Sequence, residues 1–271
     1  MDIKEIIKEV KQRLNSVGIT DNSETEWLIA EALNIKRSQI YFLKNISNAE
    51  YQRIIDFLEK REKFMPLDYI TGKSEFFGLK LNVNSNVLIP RPETELLVEE
   101  VLKVAKVGDN VLDIGTGSGA IAIAIKKNQD VNMFAVDISN KALAVAQQNA
   151  KENNADINFI QGDLFDSIGE KKFDIIISNP PYIPTRDIET LQNEVKDYEP
   201  HLALDGGAGG LDIYRRIINS LNNYLKRDGY VFFEIGIGQE KDIASMFDGY
   251  EIEVKKDYNG INRIIKARRV L

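Results

Sequence analysis

Beyond Glu93 the chain alternates apolar runs of four to six residues with amphipathic stretches, and this rhythm constrains the fold more than any other feature. Short runs that are apolar throughout suit strands covered on both faces, and helical connections between them return each strand parallel to the last. The runs at 110–114, 132–136, 157–160, 174–178 and 229–235 are therefore read as strands of a mostly parallel sheet. Two further runs, 250–255 and 262–267, bracket Asp257-Tyr258-Asn259-Gly260, so the sheet is expected to close with an antiparallel hairpin.

The first third reads differently. Ile3, Ile6, Ile7, Val10, Leu14 and Val17 recur at three- and four-residue steps, the mark of an amphipathic helix. Ser23 with Glu26 and Ser47 with Glu50 fit a capping box, so two more helices are expected to start there, with Trp27 on the buried stripe of the first. That pattern stops near Met65-Pro66, and 76–83 and 87–89, separated by Asn84-Ser85-Asn86, look like a hairpin. The expected organisation is a small helical domain at 1–73, a hairpin linker at 74–90 and an α/β domain at 91–271.

Composition removes several chemistries. The 271 residues include no cysteine, which excludes disulfides and thiolate chemistry, and His201 is the single histidine, which argues against a metal site. A formal charge of −7 disfavours an extended nucleic-acid surface. No stretch has the length to span a bilayer and the amino terminus lacks an apolar signal core, so a cytoplasmic protein is expected.

Val111-Leu112-Asp113-Ile114 runs into Gly115-Thr116-Gly117-Ser118-Gly119, and a helix follows from about Ala120. Glycines admit positive φ and let a ligand approach the backbone. The same residues satisfy a loose dinucleotide pattern, Gly115, Gly117 and Ala120, so the loop alone does not select a cofactor. Asp137, at the end of the next strand, can accept from two ribose hydroxyls or cap the helix after Ser139. Asp163 and Leu164 end a third strand at the same edge, where a carboxylate can bond an adenine amino group and an apolar side chain can cover its ring.

The strand at 174–178 ends in Asn179-Pro180-Pro181-Tyr182. Two prolines fix φ and remove two donors, so the chain leaves the sheet stiff and extended, with the Pro180 carbonyl free to face a ligand. An amide or ring amino nitrogen is a poor nucleophile because its lone pair is delocalised. The Asn179 side-chain oxygen and the Pro180 carbonyl can hold its two N–H bonds, while Tyr182 packs on the planar group, so that positioning replaces a titrating base.

At these residues the chain resembles the class I methyltransferases, and specifically the peptide-chain release factor glutamine methyltransferases, also called PrmC or HemK. The likeness extends to Ile89-Pro90-Arg91-Pro92-Glu93-Thr94-Glu95, Tyr198-Glu199-Pro200, Gly206-Gly207 and Gly210-Leu211. It implies a Rossmann-like α/β fold with a mostly parallel seven-stranded sheet behind a small helical domain that recognises the substrate. S-adenosyl-L-methionine would be the donor and S-adenosyl-L-homocysteine the product, with no metal. The acceptor implied is the glutamine of the Gly-Gly-Gln loop in class I release factors, and the enzyme would act as a monomer without membrane attachment. By position, Gly115, Thr116, Gly117, Ser118, Gly119, Asp137, Asp163, Leu164 and Asn179 would bind the cofactor, with Phe165 an alternative to Leu164 over the adenine. Asn179, Pro180, Pro181 and Tyr182 would hold the glutamine, the first two as catalytic groups.

Two other functions fit parts of this pattern. An adenine N6-methyltransferase acting on DNA or RNA meets the same geometric problem at an exocyclic amino group. A non-catalytic cofactor-binding regulator of translation would need the glycine loop but not the acceptor pair. Elsewhere, Arg91 and Glu95 stand one helical turn apart and could pair, His201 reads as a surface or packing residue, and Lys266-Ala267-Arg268-Arg269 as a solvated basic end. Glycines 206, 207, 209 and 210 suit a hinge or a plain loop.

Overall fold

The computed structural model describes residues 1–270, Asn22 by its backbone alone, so Leu271, the last residue of the expected α/β domain, lies outside the described residues. The chain forms two compact units, one of residues 1–72 with 193–198 and one of residues 73–192 with 199–271.

In the smaller unit, α1 (Ile3–Ser16) buries Ile3, Ile6, Val10 and Leu14, the spacing that its sequence presents. These pack with Leu28 and Ile29 of α2 (Asn22–Leu33) and Ile54 and Leu58 of α3 (Asn48–Arg61) in one apolar core. The Ser47–Glu50 capping box opens α3 as expected, and the short α4 (Leu67–Thr71) follows it. α2 instead starts one residue before Ser23, and Asp21 caps it by accepting from the Ser23 N–H. Trp27 is corrected too: it is 45% exposed, off the stripe that buries Leu28 and Ile29, with the Arg37 guanidinium 5.1 Å from its ring centroid. The short helix Asn193–Lys196 belongs to this unit, where Glu194 and Glu24 both pair with the buried Arg61 at 2.6 Å.

The larger unit opens with the hairpin of β1 (Lys73–Phe76) and β2 (Leu79–Asn82), which turns inside the run 76–83 that the sequence pattern reads as a single strand. Its turn is Phe77-Gly78, both at positive φ, the geometry of a tight two-residue hairpin turn. Residues 87–89 form no strand. After α5 (Glu95–Leu102) come β3 (Asn110–Ile114), α6 (Ala120–Asn128), β4 (Asn132–Asp137), α7 (Asn140–Glu152), β5 (Ile157–Gln161) and β6 (Phe173–Ser178). The helix Asp212–Tyr224 then leads into β7 (Leu225–Glu234), and β8 (Tyr250–Lys256) and β9 (Asn262–Arg269) form the closing hairpin.

These seven strands make one sheet in the order β5-β4-β3-β6-β7-β9-β8, with β9 antiparallel to both neighbours and the other pairs parallel. Alternate residues feed two cores. Val111, Ile175 and Ile177 face α5 and α6, while Leu112, Ile176 and Phe233 face the helix Asp212–Tyr224. The basic run near the end is not a solvated tail but part of interior strand β9, where Lys266 lies over the Tyr230 ring and Arg268 pairs with Asp228 at 3.3 Å.

Candidate functional site

The strand order turns at β3 and β6: successive crossovers run outward through β4 and β5 on one side, and through β7 on the other. A crevice opens beyond the strand ends at such a reversal. It falls between the glycine turn after β3 and Asn179 after β6.

Gly115, Gly117 and Gly119 have φ of 73°, 55° and 82°, so the turn needs glycine at all three. Gly119 caps α6 without a side chain, and its backbone abuts Ala146, 3.1 Å from where a Cβ would stand. Asp113, fully buried beneath the turn, accepts the Thr116 hydroxyl at 2.7 Å. Its other oxygen is buried without a hydrogen-bond partner, and the nearby Ala122 N–H offsets only part of that cost, so burial pushes the carboxyl up to about 7. Asp137, at the tip of β4, accepts from Gly117 N–H at 2.8 Å and from Ser139 N–H at 2.9 Å. It therefore ties the glycine turn to the next strand, while the cap of α7 is Ser139.

One cleft gathers most of the expected residues: Gly115, Gly117, Asp137, Asp163, Leu164, Asn179, Pro180 and Pro181 all line it. Thr116, Ser118, Gly119 and Tyr182 do not. The Thr116 hydroxyl turns inward to Asp113, and Ser118 is buried, its carbonyl accepting from Asn149 Nδ2 at 2.9 Å. Leu164, not Phe165, faces the cleft, because Phe165 is stacked on Tyr224 in the core at 4.4 Å. Leu164 holds φ at 56°, a left-handed conformation uncommon for a bulky residue and found where a site imposes it.

Sequence reasoning missed part of the lining. Ile138 is 47% exposed in the cleft directly after Asp137, and an apolar side chain left open beside a carboxylate was the available signal. Arg216 also lines it and bonds Asp163 Oδ2 at 2.8 Å, a pairing 53 residues apart that no local pattern announces. Asn86, Val87 and Leu88 contribute from the stretch read as a linker. His201 is exposed and does not line the cleft, although Leu202 and Ala203 do.

The segment after β6 is clamped from behind. Ser178 Oγ donates to the Ile114 carbonyl at 2.7 Å, joining the ends of β6 and β3. Gln239 Nε2 donates to the Tyr182 carbonyl at 2.9 Å. The later glycines pack against the same backbone: a Cβ at Gly206 would stand 2.7 Å from the Pro181 carbonyl oxygen, and one at Gly210 2.2 Å from that of Tyr182. Gly206 and Gly210 are thus close-approach glycines rather than parts of a hinge or a plain loop. Tyr182 is half-buried, and burial followed by the nearby Glu234 charge pushes its hydroxyl up to about 12.

Asn179 Nδ2 donates to Thr94 Oγ1 at 3.3 Å, and Thr94 Oγ1 donates to Glu234 Oε2 at 2.6 Å. Among the described residues, neither Asn179 Oδ1 nor the Pro180 carbonyl accepts a hydrogen bond. Two acceptors thus stand unspent at the cleft wall. Arg91 does not pair with Glu95; it grips buried Glu199 at 2.7 Å, while Glu95 accepts from the Phe77 N–H at 2.7 Å. Among the described residues, no group of acids and histidine is placed to hold a metal, and no helix is long and apolar enough to cross a membrane.

Comparison with known proteins agrees with this fold. Residues 92–208 match the methyltransferase small domain, and residues 5–72 match the PrmC N-terminal domain. Among solved structures, a methyltransferase from Pyrococcus furiosus shares the fold with a TM-score of 0.56 and 19% identity, covering 72% of this chain and 91% of that one. The release factor glutamine methyltransferase of Geobacter sulfurreducens is 41% identical, over 98% of this chain and 96% of the relative. That of Bacillus cereus is 37% identical, over 98% and 99%. With similarity of this strength running through both units, the chain belongs to the release factor glutamine methyltransferase family.

Proposed function

We propose that this protein transfers a methyl group from S-adenosyl-L-methionine to the side-chain amide nitrogen of the glutamine in the Gly-Gly-Gln loop of class I release factors, giving N5-methylglutamine. Family membership supports the reaction and its substrate. The observation that carries the chemistry is the pair of unspent acceptors, Asn179 Oδ1 and the Pro180 carbonyl, beside the glycine turn.

The cleft suits the donor. Gly115 and Gly117 bring bare backbone to its wall, Ile138 and Leu164 offer apolar cover for an adenine, and Asp163 keeps one oxygen clear of Arg216 for its amino group. Each Asp137 oxygen already accepts one backbone N–H and retains a lone pair for a ribose hydroxyl. When bound, S-adenosylmethionine supplies an electrophilic methyl group on its sulfonium and leaves as S-adenosylhomocysteine.

Asn179 and Pro180 do the rest by orientation. Each accepts one N–H of the glutamine amide, which fixes the nitrogen and turns the face where its lone pair develops toward the methyl group. As positive charge grows on the nitrogen and the S–CH3 bond breaks, both oxygens stabilise it by hydrogen bonding, and the strongly acidic N-methylated amide then releases its extra proton to water. Pro180 and Pro181 keep this geometry stiff, and Tyr182, outside the cleft lining, anchors the segment through its carbonyl to Gln239. The helical unit recognises the release factor, and we take the enzyme to work as a cytoplasmic monomer.

The test is direct. Protein incubated with labelled S-adenosylmethionine, a purified class I release factor and separate DNA and RNA samples should place label on the release factor alone, at the Gly-Gly-Gln glutamine by mass spectrometry. Label on adenine instead would refute the proposal.

A further inference from the structure

We propose that Thr94 and Glu234 set the direction in which the Asn179 side-chain amide points, and so serve as positioning residues for methyl transfer. The inference rests on the reading above, in which Asn179 Oδ1 accepts from the substrate amide.

A carboxamide has two ends of nearly the same shape and opposite polarity. Turned the wrong way, Asn179 would present an NH2 group to the NH2 of the substrate, and neither could accept. Threonine alone does not prevent this, because a hydroxyl both donates and accepts. Glu234 does. An ionised carboxylate only accepts, so it takes the one Thr94 proton along the 2.6 Å bond and leaves Thr94 Oγ1 as an acceptor. The end of Asn179 that faces Thr94 must then be the nitrogen, at 3.3 Å, and Oδ1 is sent the other way.

The relay is insulated. Thr94 and Glu234 are 4% and 3% exposed, so water does not compete for these groups. Thr94 ends the short turn Pro92–Thr94 ahead of α5, and Glu234 ends β7, where its carbonyl accepts the Tyr214 hydroxyl at 2.7 Å. Both are thus fixed by elements that do not themselves touch the cleft.

Protonation of Glu234 would reverse the relay. Its new O–H can donate to Thr94, which frees the Thr94 proton for Asn179 Oδ1 and lets the amide turn. The groups facing Glu234 are Arg263 of β9, Glu93 and Thr94 of the turn, Asn179 and Tyr182 after β6, and Tyr214 of the helix Asp212–Tyr224. Burial outweighs the Arg263 charge and the hydrogen bonds, and places this carboxyl at about 7. The relay is therefore set above that pH and lost below it.

The experiment uses the full chain with labelled S-adenosylmethionine and a purified class I release factor. Thr94→Val should lower kcat by about 10- to 100-fold while the Kd for S-adenosylmethionine stays within about twofold, and Thr94→Ser should recover turnover to within about threefold of the unsubstituted protein. A kcat for Thr94→Val within about threefold, or a serine variant as impaired as the valine one, would overturn the proposal. Should Thr94→Val fail to fold, the kcat–pH profile of Glu234→Gln decides. An inflection near pH 7 smaller than that of the unsubstituted protein supports the relay, and one of unchanged size refutes it, since Asp113, the other carboxyl near 7, is intact in both. Absence of transfer by the unsubstituted protein sinks the glutamine reading and this inference together, whereas normal transfer with an indifferent Thr94 sinks the inference alone.

Discussion

Two turns leave neighbouring strands of one sheet and shape the site by opposite means. After β3, three glycines at positive φ give the backbone conformations closed to other residues. After β6, two prolines remove conformations instead, and glycines from a distant loop press against the result. The first turn must let a ligand come close, so it dispenses with side chains. The second must aim two oxygens, so it dispenses with freedom. Binding and turnover should therefore separate between them when each is damaged alone.

The largest effect is expected at the aiming turn. Asn179→Ala should lower kcat about 100- to 1,000-fold, the range for loss of one preorganised polar group, with the Kd for S-adenosylmethionine within about threefold by calorimetry. Near-normal turnover would mean that Pro180 suffices and that Asn179 only lines the cleft.

Gly210→Ala comes next. Its Cβ would stand 2.2 Å from the Tyr182 carbonyl oxygen at a φ of +71°, so the aiming turn must shift. Overpacking of this kind costs about 1–3 kcal/mol, so steady-state assays should show kcat lower by about 10- to 100-fold with cofactor affinity nearly kept. A variant that instead lost the cofactor would tie the two turns into one unit.

The smallest effect belongs to Gly117→Ala. A Cβ there meets nothing within 4 Å, so the cost is the backbone conformation alone. At about 1–2 kcal/mol for a left-handed residue, S-adenosylmethionine should bind about tenfold more weakly, with kcat at saturation within about twofold. A fall in kcat without change in Kd would erase the contrast drawn above.

The sequence made the sheet legible because strands covered on both faces are apolar throughout: β3 lies where its run predicts, and β4, β5 and β6 differ by one residue at one end. β7 starts four residues early, where Asp228 at φ 63° breaks the apolar pattern. The first hairpin escapes the sequence pattern because its turn uses Phe77 at positive φ, whereas Asn84-Ser85-Asn86 carries the stronger turn composition. Of the site, the glycines, Asp137 and the segment from Asn179 were readable because each is local. Thr94 with Glu234, Arg216 with Asp163 and Arg91 with Glu199 were not, since each pair is long-range and involves residue types common on any surface.

The short helix Asn193–Lys196 has a consequence for how such a protein can be rebuilt. The chain leaves the sheet unit after residue 192, contributes Glu194 to the Arg61 charge cluster of the helical unit, and returns at residue 199. Tyr198 is anchored there too, its hydroxyl donating to the Lys63 carbonyl at 2.6 Å. The helical unit is thus not a cassette that one crossover near codon 72 could exchange. A chimera joined there would inherit foreign helices and a native tether, and grafting a new specificity would require the two pieces of chain to be transplanted together.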